Sequence, residues 1–248
     1  MIELMRVLVG SHAHGLATAE SDEDYRAIYI APTTDFFKIH APPPKATQWL
    51  EGETEDNISY EIGHFLNLAI KSNPTILEVF NAPVVSQTNP FHFVDTFKAL
   101  FPYVWSSKGV LDAFKGYSNS QHKKMFDEKE EFSKRRNKYA IAHLRVLLSG
   151  IELLTTGNMT SKVACSYPYF SATDLRYHDG LCLPGMSPQT VEHPHFCWVN
   201  CLSHIKQQAP GQVDLGEVVD LAEMLKTEIN AAYAANPTKQ VDYNKANE

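Results

Sequence analysis

Cysteine is scarce: four residues in 248 (Cys165, Cys182, Cys197, Cys201), too few and too irregularly spaced for a disulfide scaffold. Long apolar runs are lacking, so no segment could cross a bilayer, and Met1-Ile2-Glu3-Leu4 lacks the charged-then-apolar layout of a secretion signal. A cytoplasmic protein with reduced thiols is expected. Positive charge is in deficit, with 22 Lys and Arg against 29 Asp and Glu, and a net charge of −7 argues against indiscriminate coating of nucleic acid. Internal repeats and low-complexity tracts are missing too. What remains, 44% apolar and 21% charged residues, excludes a disordered tail, a collagen-like fibre and a coiled coil. The length suits one good core, or a modest catalytic domain with a second lobe.

The charge is divided along the chain. Residues 1–80 carry 5 basic and 12 acidic side chains, whereas residues 108–145 carry 10 and 5. An acidic region can collect divalent cations and a basic one can meet phosphates; the alternative for the latter is a solvated Lys-rich helix.

Met5–Val9 reads as a buried strand stopping at Gly10-Ser11, and Tyr25–Ile30 as a second strand closed by Pro32. Gln48–Leu50 and Asn57–Glu61 are weaker strands around the turn Glu51-Gly52-Glu53, and Ala41–Pro44 is a connecting loop. From Ile62 the period becomes helical. Asn73-Pro74 and Asn89-Pro90 each place a capping residue before a proline suited to the first helical position. Ser107 to about Arg136 reads as a long charged helix, breakable near Gly116, and Asn137–Thr156 as a helix ending at Gly157. Residues 158–195 read as loop or hairpin, Leu215–Ala234 as a final helix and Asn236–Glu248 as a polar tail. The fold class is therefore α+β: a small sheet carrying the site in residues 1–105, and a helical lobe in 106–248 with an irregular aromatic and Cys-bearing insertion around 158–204.

Chemistry concentrates in Gly10–Asp24. Gly10 lets the backbone turn at a strand end, and Ser11 adds an amide and a hydroxyl, so the pair can hold phosphate oxygens. Asp22 and Asp24 alternate on an extended segment, which brings both carboxylates to one face about 7 Å apart. Such a pair repels unless a cation lies between, and Mg²⁺ suits the gap. A third acid would complete a two-metal clamp. Glu61 is the candidate, with Asp56 as competitor; the alternative for Glu61 is an acid in the first turn of the following helix. His12 and His14 are expected to pack or to contact ligand backbone rather than to catalyse. Asn73 and Glu78 are expected at a helix cap and on a helix surface. His193, His195, Cys197, Cys201 and His204 fit no standard zinc spacing, so an aromatic and thiol cluster is favoured there.

Gly-Ser, ten residues and Asp-x-Asp form the signature of the DNA polymerase beta nucleotidyltransferase superfamily, which this sequence resembles. Gly10-Ser11-His12-Ala13-His14-Gly15, Ser21-Asp22-Glu23-Asp24-Tyr25-Arg26 and Ile30-Ala31-Pro32 look like the predicted nucleotidyltransferases of bacterial and phage RNA-repair gene clusters. The likeness continues through Tyr60-Glu61, Phe65-Leu66, Leu68–Glu78, Lys138, His143-Leu144-Arg145 and Gly150–Gly157, covering roughly residues 5–157. It implies a small mixed sheet flanked by helices, two Mg²⁺ ions (Mn²⁺ able to substitute) at Asp22 and Asp24, and a nucleoside triphosphate such as ATP gripped at Gly10 and Ser11. The third acid, commonly Asp in the superfamily, is here Glu61. Lys138 and Arg145 share a helix face and are candidates to neutralise the triphosphate, or else form a solvated face. Arg26 is a candidate to orient Asp24 or touch phosphate, with a surface salt bridge as the alternative.

The expected activity is transfer of a nucleoside monophosphate to an acceptor hydroxyl with release of pyrophosphate, the resemblance favouring an RNA or tRNA end. Two rivals stand beside it: AMP transfer to a protein or small molecule, and an inactive nucleotide-binding module. No surface that mixes aromatic and basic residues, as single-strand readers do, is evident in the sequence.

Overall fold

The computed structural model describes residues 1–38, 44–49, 57–88, 92–129, 135–163, 198–209 and 211–242. Its first compact unit comprises Met1–Val110, Asn158–Ser161 and the chain from Pro237; its second comprises Leu111–Gly157 and Lys162–Asn236. The division falls within a helix, five residues beyond the expected 105/106 boundary.

The first unit is built on a five-stranded mixed sheet. β1 (Ile2–Val9), β2 (Asp24–Ile30), β3 (Thr47–Gln48), β4 (Ile58–Glu61) and β5 (Val84–Gln87) lie in the order β3-β4-β2-β1-β5. β1 runs antiparallel to β2, with Val9 opposite Asp24, so the end of one strand meets the start of the other. β2 runs parallel to β4, with Arg26 opposite Ile58 and Tyr29 opposite Glu61. Met5, Val7, Ala27, Ile28 and Tyr29 are buried, as strands covered on both faces require.

Short helices surround the sheet: α1 (Gly10–His14), α2 (Thr33–Phe36), α3 (Ile62–Ala69), α4 (Pro74–Asn81) and α5 (Phe93–Ala99). α4 starts as its sequence predicts, with Pro74 in its first turn and Asn73 Oδ1 accepting from Thr75 N at 3.1 Å. Phe65, Phe80 and Phe97 pack together, the last two stacked with centroids 4.3 Å apart. Two later segments complete the unit. Ser107 N donates to Lys239 O and Asp242 N to Tyr103 O, pairing the segment after Pro237 with the chain around α6 (Ser107–Met125).

The second unit is helical among its described residues. It holds most of α6, together with α7 (Arg136–Thr156), α8 (Trp198–Gln207) and α9 (Leu215–Ala235). α7 ends at Gly157 as expected, and α6 passes Gly116 without a break. α6, α7 and α9 approach closely at Gly150, where a Cβ would lie 2.6 Å from Ile229 Cδ1 and 2.9 Å from Phe114 Cδ1. Asn137 Nδ2 ties α7 to the end of α8 by donating to Ile205 O and Gln208 O.

Candidate active site

The site begins where β1 runs out. Val9 is the last extended residue, and Gly10 turns the chain into α1 with a φ of +66° that only glycine adopts freely. Asp24 opens β2 directly opposite Val9, and its carboxylate lies against the glycine: a Cβ on residue 10 would sit 2.1 Å from Asp24 Oδ2. Gly10 therefore serves two purposes, the turn and the close approach of an acid.

Asp22 stands two residues before Asp24, ahead of β2, and is exposed. Alternation within β2 sets Asp24 and Tyr25 on opposite faces, and Glu23 joins the Tyr25 side. Glu23 is occupied there, since the Tyr25 hydroxyl donates to its carboxylate. That hydrogen bond is the main reason the Tyr25 phenol is held above its ordinary pKa, with burial and the charge of Glu23 adding to it. Arg26 shares the aspartate face by the same alternation, and its Nη1 donates to Tyr25 O at 3.0 Å.

The ten residues between Ser11 and Asp22 are folded by internal hydrogen bonds. Leu16 N donates to Ser11 O, and Thr18 N to Ser21 Oγ at 2.9 Å. His12 Nε2–H donates to Ser21 O at 3.0 Å, joining the residue after Ser11 to the residue before Asp22. His14 braces the other side of α1. Its Nδ1–H donates to Ser161 O at 3.0 Å, and Nε2 lies 3.2 Å from Glu78 Oε1. Both histidines pack as expected. Glu78 does not: only 6% exposed, it is a buried partner of His14 and not a helix-surface residue. The signal was available, because Ile76, Leu77, Val79 and Phe80 leave α4 no polar face for a charge to occupy.

Glu61 is also corrected. The parallel register sets it level with Tyr29, five residues along β2 from Asp24, about 16 Å away at strand rise. Its carboxylate instead caps α3, with Oε2 accepting from Gly63 N at 2.7 Å and His64 N at 3.1 Å. The end of β4 nearer Asp24 holds Asn57, whose Oδ1 accepts from Tyr25 N at 2.8 Å. The competing acid, Asp56, lies outside the described residues.

Lys138 and Arg145 belong to the helical unit, on α7, where Lys138 is exposed and Arg145 half-buried. Of the zinc-spacing residues, only Cys201, a buried free thiol, and His204, bonded to Gln208, are described. Among the described residues, no three His, Cys, Asp or Glu side chains converge as a metal cage. Two hard carboxylates beside the Gly10-Ser11 turn nevertheless fit Mg²⁺, which takes one or two protein carboxylates and draws its other oxygens from water and substrate. No helix of the described residues is long and apolar enough to cross a membrane.

Residues 4–164 match the model of the RNA repair pathway DNA polymerase beta family. An uncharacterized 38.9 kDa protein in the nrdC-mobD intergenic region of Enterobacteria phage T4 is 29% identical over 89 residues, 34% of this chain and 26% of the phage protein. The chain thus aligns with about a quarter of that relative's length. No solved structure matches.

Proposed function

Given that the chain belongs to the RNA repair pathway DNA polymerase beta family, which supports a nucleotidyltransferase role, we propose that it transfers a nucleoside monophosphate from a triphosphate to the terminal hydroxyl of an RNA. The acceptor oxygen bonds to the α-phosphorus, the bond from that phosphorus to the bridging oxygen breaks, and pyrophosphate leaves with the electron pair. The acceptor's proton passes to solvent.

One observation carries the reading: the Asp24 carboxylate is seated against Gly10 at the mouth of the Gly10-Ser11 turn. Asp22 and Asp24 are the residues that would hold Mg²⁺, which on binding supplies charge neutralisation for the phosphates and acidifies the attacking hydroxyl. Gly10 and Ser11 seat the triphosphate through their amides and the Ser11 hydroxyl. Arg26, on the aspartate face, offers its guanidinium to a phosphate oxygen or to Asp24. His12 fixes the loop that delivers Asp22, and the His14–Glu78 pair fixes α1 below it. With Glu61 committed to the α3 cap, Asp56 is the acid to substitute next.

The test is incubation with each labelled nucleoside triphosphate, Mg²⁺ or Mn²⁺, and total RNA, with sequencing of the 3′ ends. Label in RNA, lost in the Asp22→Asn, Asp24→Asn variant, is the expected result. Label in protein or in a small metabolite would replace the acceptor. Tight triphosphate binding without label in any acceptor would replace the enzyme by a nucleotide-binding module.

A further inference from the structure

The junction of α6 and α7 carries a combination of groups that the linear sequence hides. Phe126, the residue after α6, is 47% exposed, and one side of its ring rests on His122 with centroids 4.9 Å apart. His122 is itself backed by the buried His143 ring at 5.4 Å, so the exposed phenyl group has a firm base. Cations flank it along the chain and at the adjoining helix end. Lys123 and Lys124 occupy the last turn of α6, and Lys124 Nζ lies over the Tyr139 ring at 5.7 Å from its centroid. Arg136 Nε donates to Met125 O at 3.1 Å, which brings the start of α7, with exposed Arg135 before it, to the end of α6. Between His122 and Tyr139 the sequence holds seven Lys or Arg and four acids, Asp127, Glu128, Glu130 and Glu131.

A water-exposed aromatic ring costs free energy, and a group of cations repels other basic surfaces, so the partner must answer both. An apolar protein surface would desolvate the lysines without pairing them. Duplex nucleic acid offers phosphates but keeps its base faces stacked. An unpaired strand offers both at once, a free base face for the phenyl ring and phosphates at neighbouring positions for the cations. We propose that this junction binds single-stranded RNA, with Phe126 stacking on one unpaired base and Lys123, Lys124 and Arg135 holding the adjoining phosphates. The identity of that strand as the acceptor rests on the function proposed above; the binding itself does not.

The full chain is titrated, without triphosphate or divalent metal, into a fluorescein-labelled single-stranded RNA 12-mer, and anisotropy is followed at several salt concentrations. Phe126→Ala should weaken binding about tenfold, the weight of one base–aromatic stack, and Phe126→Trp should retain it. Lys123→Glu should also weaken binding and flatten the dependence of log K on log salt by about 0.7 or more. Urea midpoints of the variants establish that each is folded, and both positions are exposed enough to keep them so. Unchanged affinity of Phe126→Ala and Lys123→Glu overturns the proposal, as does equal competition by duplex RNA at the same phosphate concentration. The two readings fail separately. Wild-type labelling of RNA with no dependence of binding on Phe126 removes this surface and leaves the transferase; strand binding through Phe126 without label transfer under any metal leaves this surface and removes the transferase.

Discussion

A side chain at position 10 has nowhere to go, since the positive φ disfavours any L-residue and the first carbon would press into Asp24 Oδ2. Gly10→Ala should therefore displace the Asp24 carboxylate. Nucleotide transfer is expected to fall at least 100-fold with a stability loss of about 1–2 kcal/mol, read by rate assay and urea titration. Glu61 separates the competing roles of an acid near a sheet edge. As the α3 cap it should cost about 1 kcal/mol of stability when replaced by Ala, with kcat within about threefold of wild type; a kcat collapse at unchanged stability would return it to the metal site. The histidines of the turn show the same division between holding and reacting. His12 and His14 spend their nitrogens on Ser21, Ser161 and Glu78, which is what keeps a ten-residue loop in one shape.

Among the helices, His143 couples α6 to α7 through Ser118. Its Nδ1–H donates to Ser118 O at 2.9 Å, and Ser118 Oγ lies 2.7 Å from the same nitrogen. Burial, followed by the charges of Lys226 and His122, lowers its pKa from 6.5 to about 4, so the folded protein holds it neutral. The unfolded chain takes up this proton first as pH falls. The stability it contributes is therefore present above pH 6.5 and lost downward toward pH 4, by about 2 kcal/mol between pH 7 and pH 5. Urea titrations at the two pH values measure it, and His143→Gln should flatten the difference.

Elements with a strong local signal were legible from sequence: β1 and β2 from apolar runs, α3, α7 and α9 from periodicity, and α4 from Asn73-Pro74. β5 and α2 were not, because Val84–Gln87 and Thr33–Phe36 are four residues each, too short for either period to register. The helix expected from Ser107 to about Arg136 ends at Met125, and the described residues 126–129 are no longer helical. Asn89-Pro90 lies outside the described residues, as do the chain from 164 to 197, with most of the expected 158–195 loop, and the end of the expected tail. Gly10, Ser11, Asp22 and Asp24 could be grouped from sequence because one turn and one strand start carry them all. Glu61 was misassigned because alternation fixes the face of a residue but not its height along a neighbouring strand, which only register supplies. The aromatic and basic junction was not legible in the sequence because the start of α7 joins the end of α6 only through the Arg136 bond to Met125 O.

At the scale of the whole chain, the charge division in the sequence follows the two units. The sheet unit takes the acidic first 80 residues and the Gly10-Ser11 turn, while the helical unit takes nearly all of the basic 108–145 segment. Net charge alone argues only against indiscriminate coating of nucleic acid; its distribution is compatible with a partner that meets a confined basic surface. The account depends throughout on Asp22 and Asp24 acting together beside Gly10. The most direct test is Mn²⁺ uptake, followed by the loss of the free-ion electron paramagnetic resonance signal, with a non-hydrolysable nucleoside triphosphate present. Wild-type protein should take up the ion, and the Asp22→Asn, Asp24→Asn variant, folded by its urea midpoint, should leave it free; equal uptake by both would contradict the account.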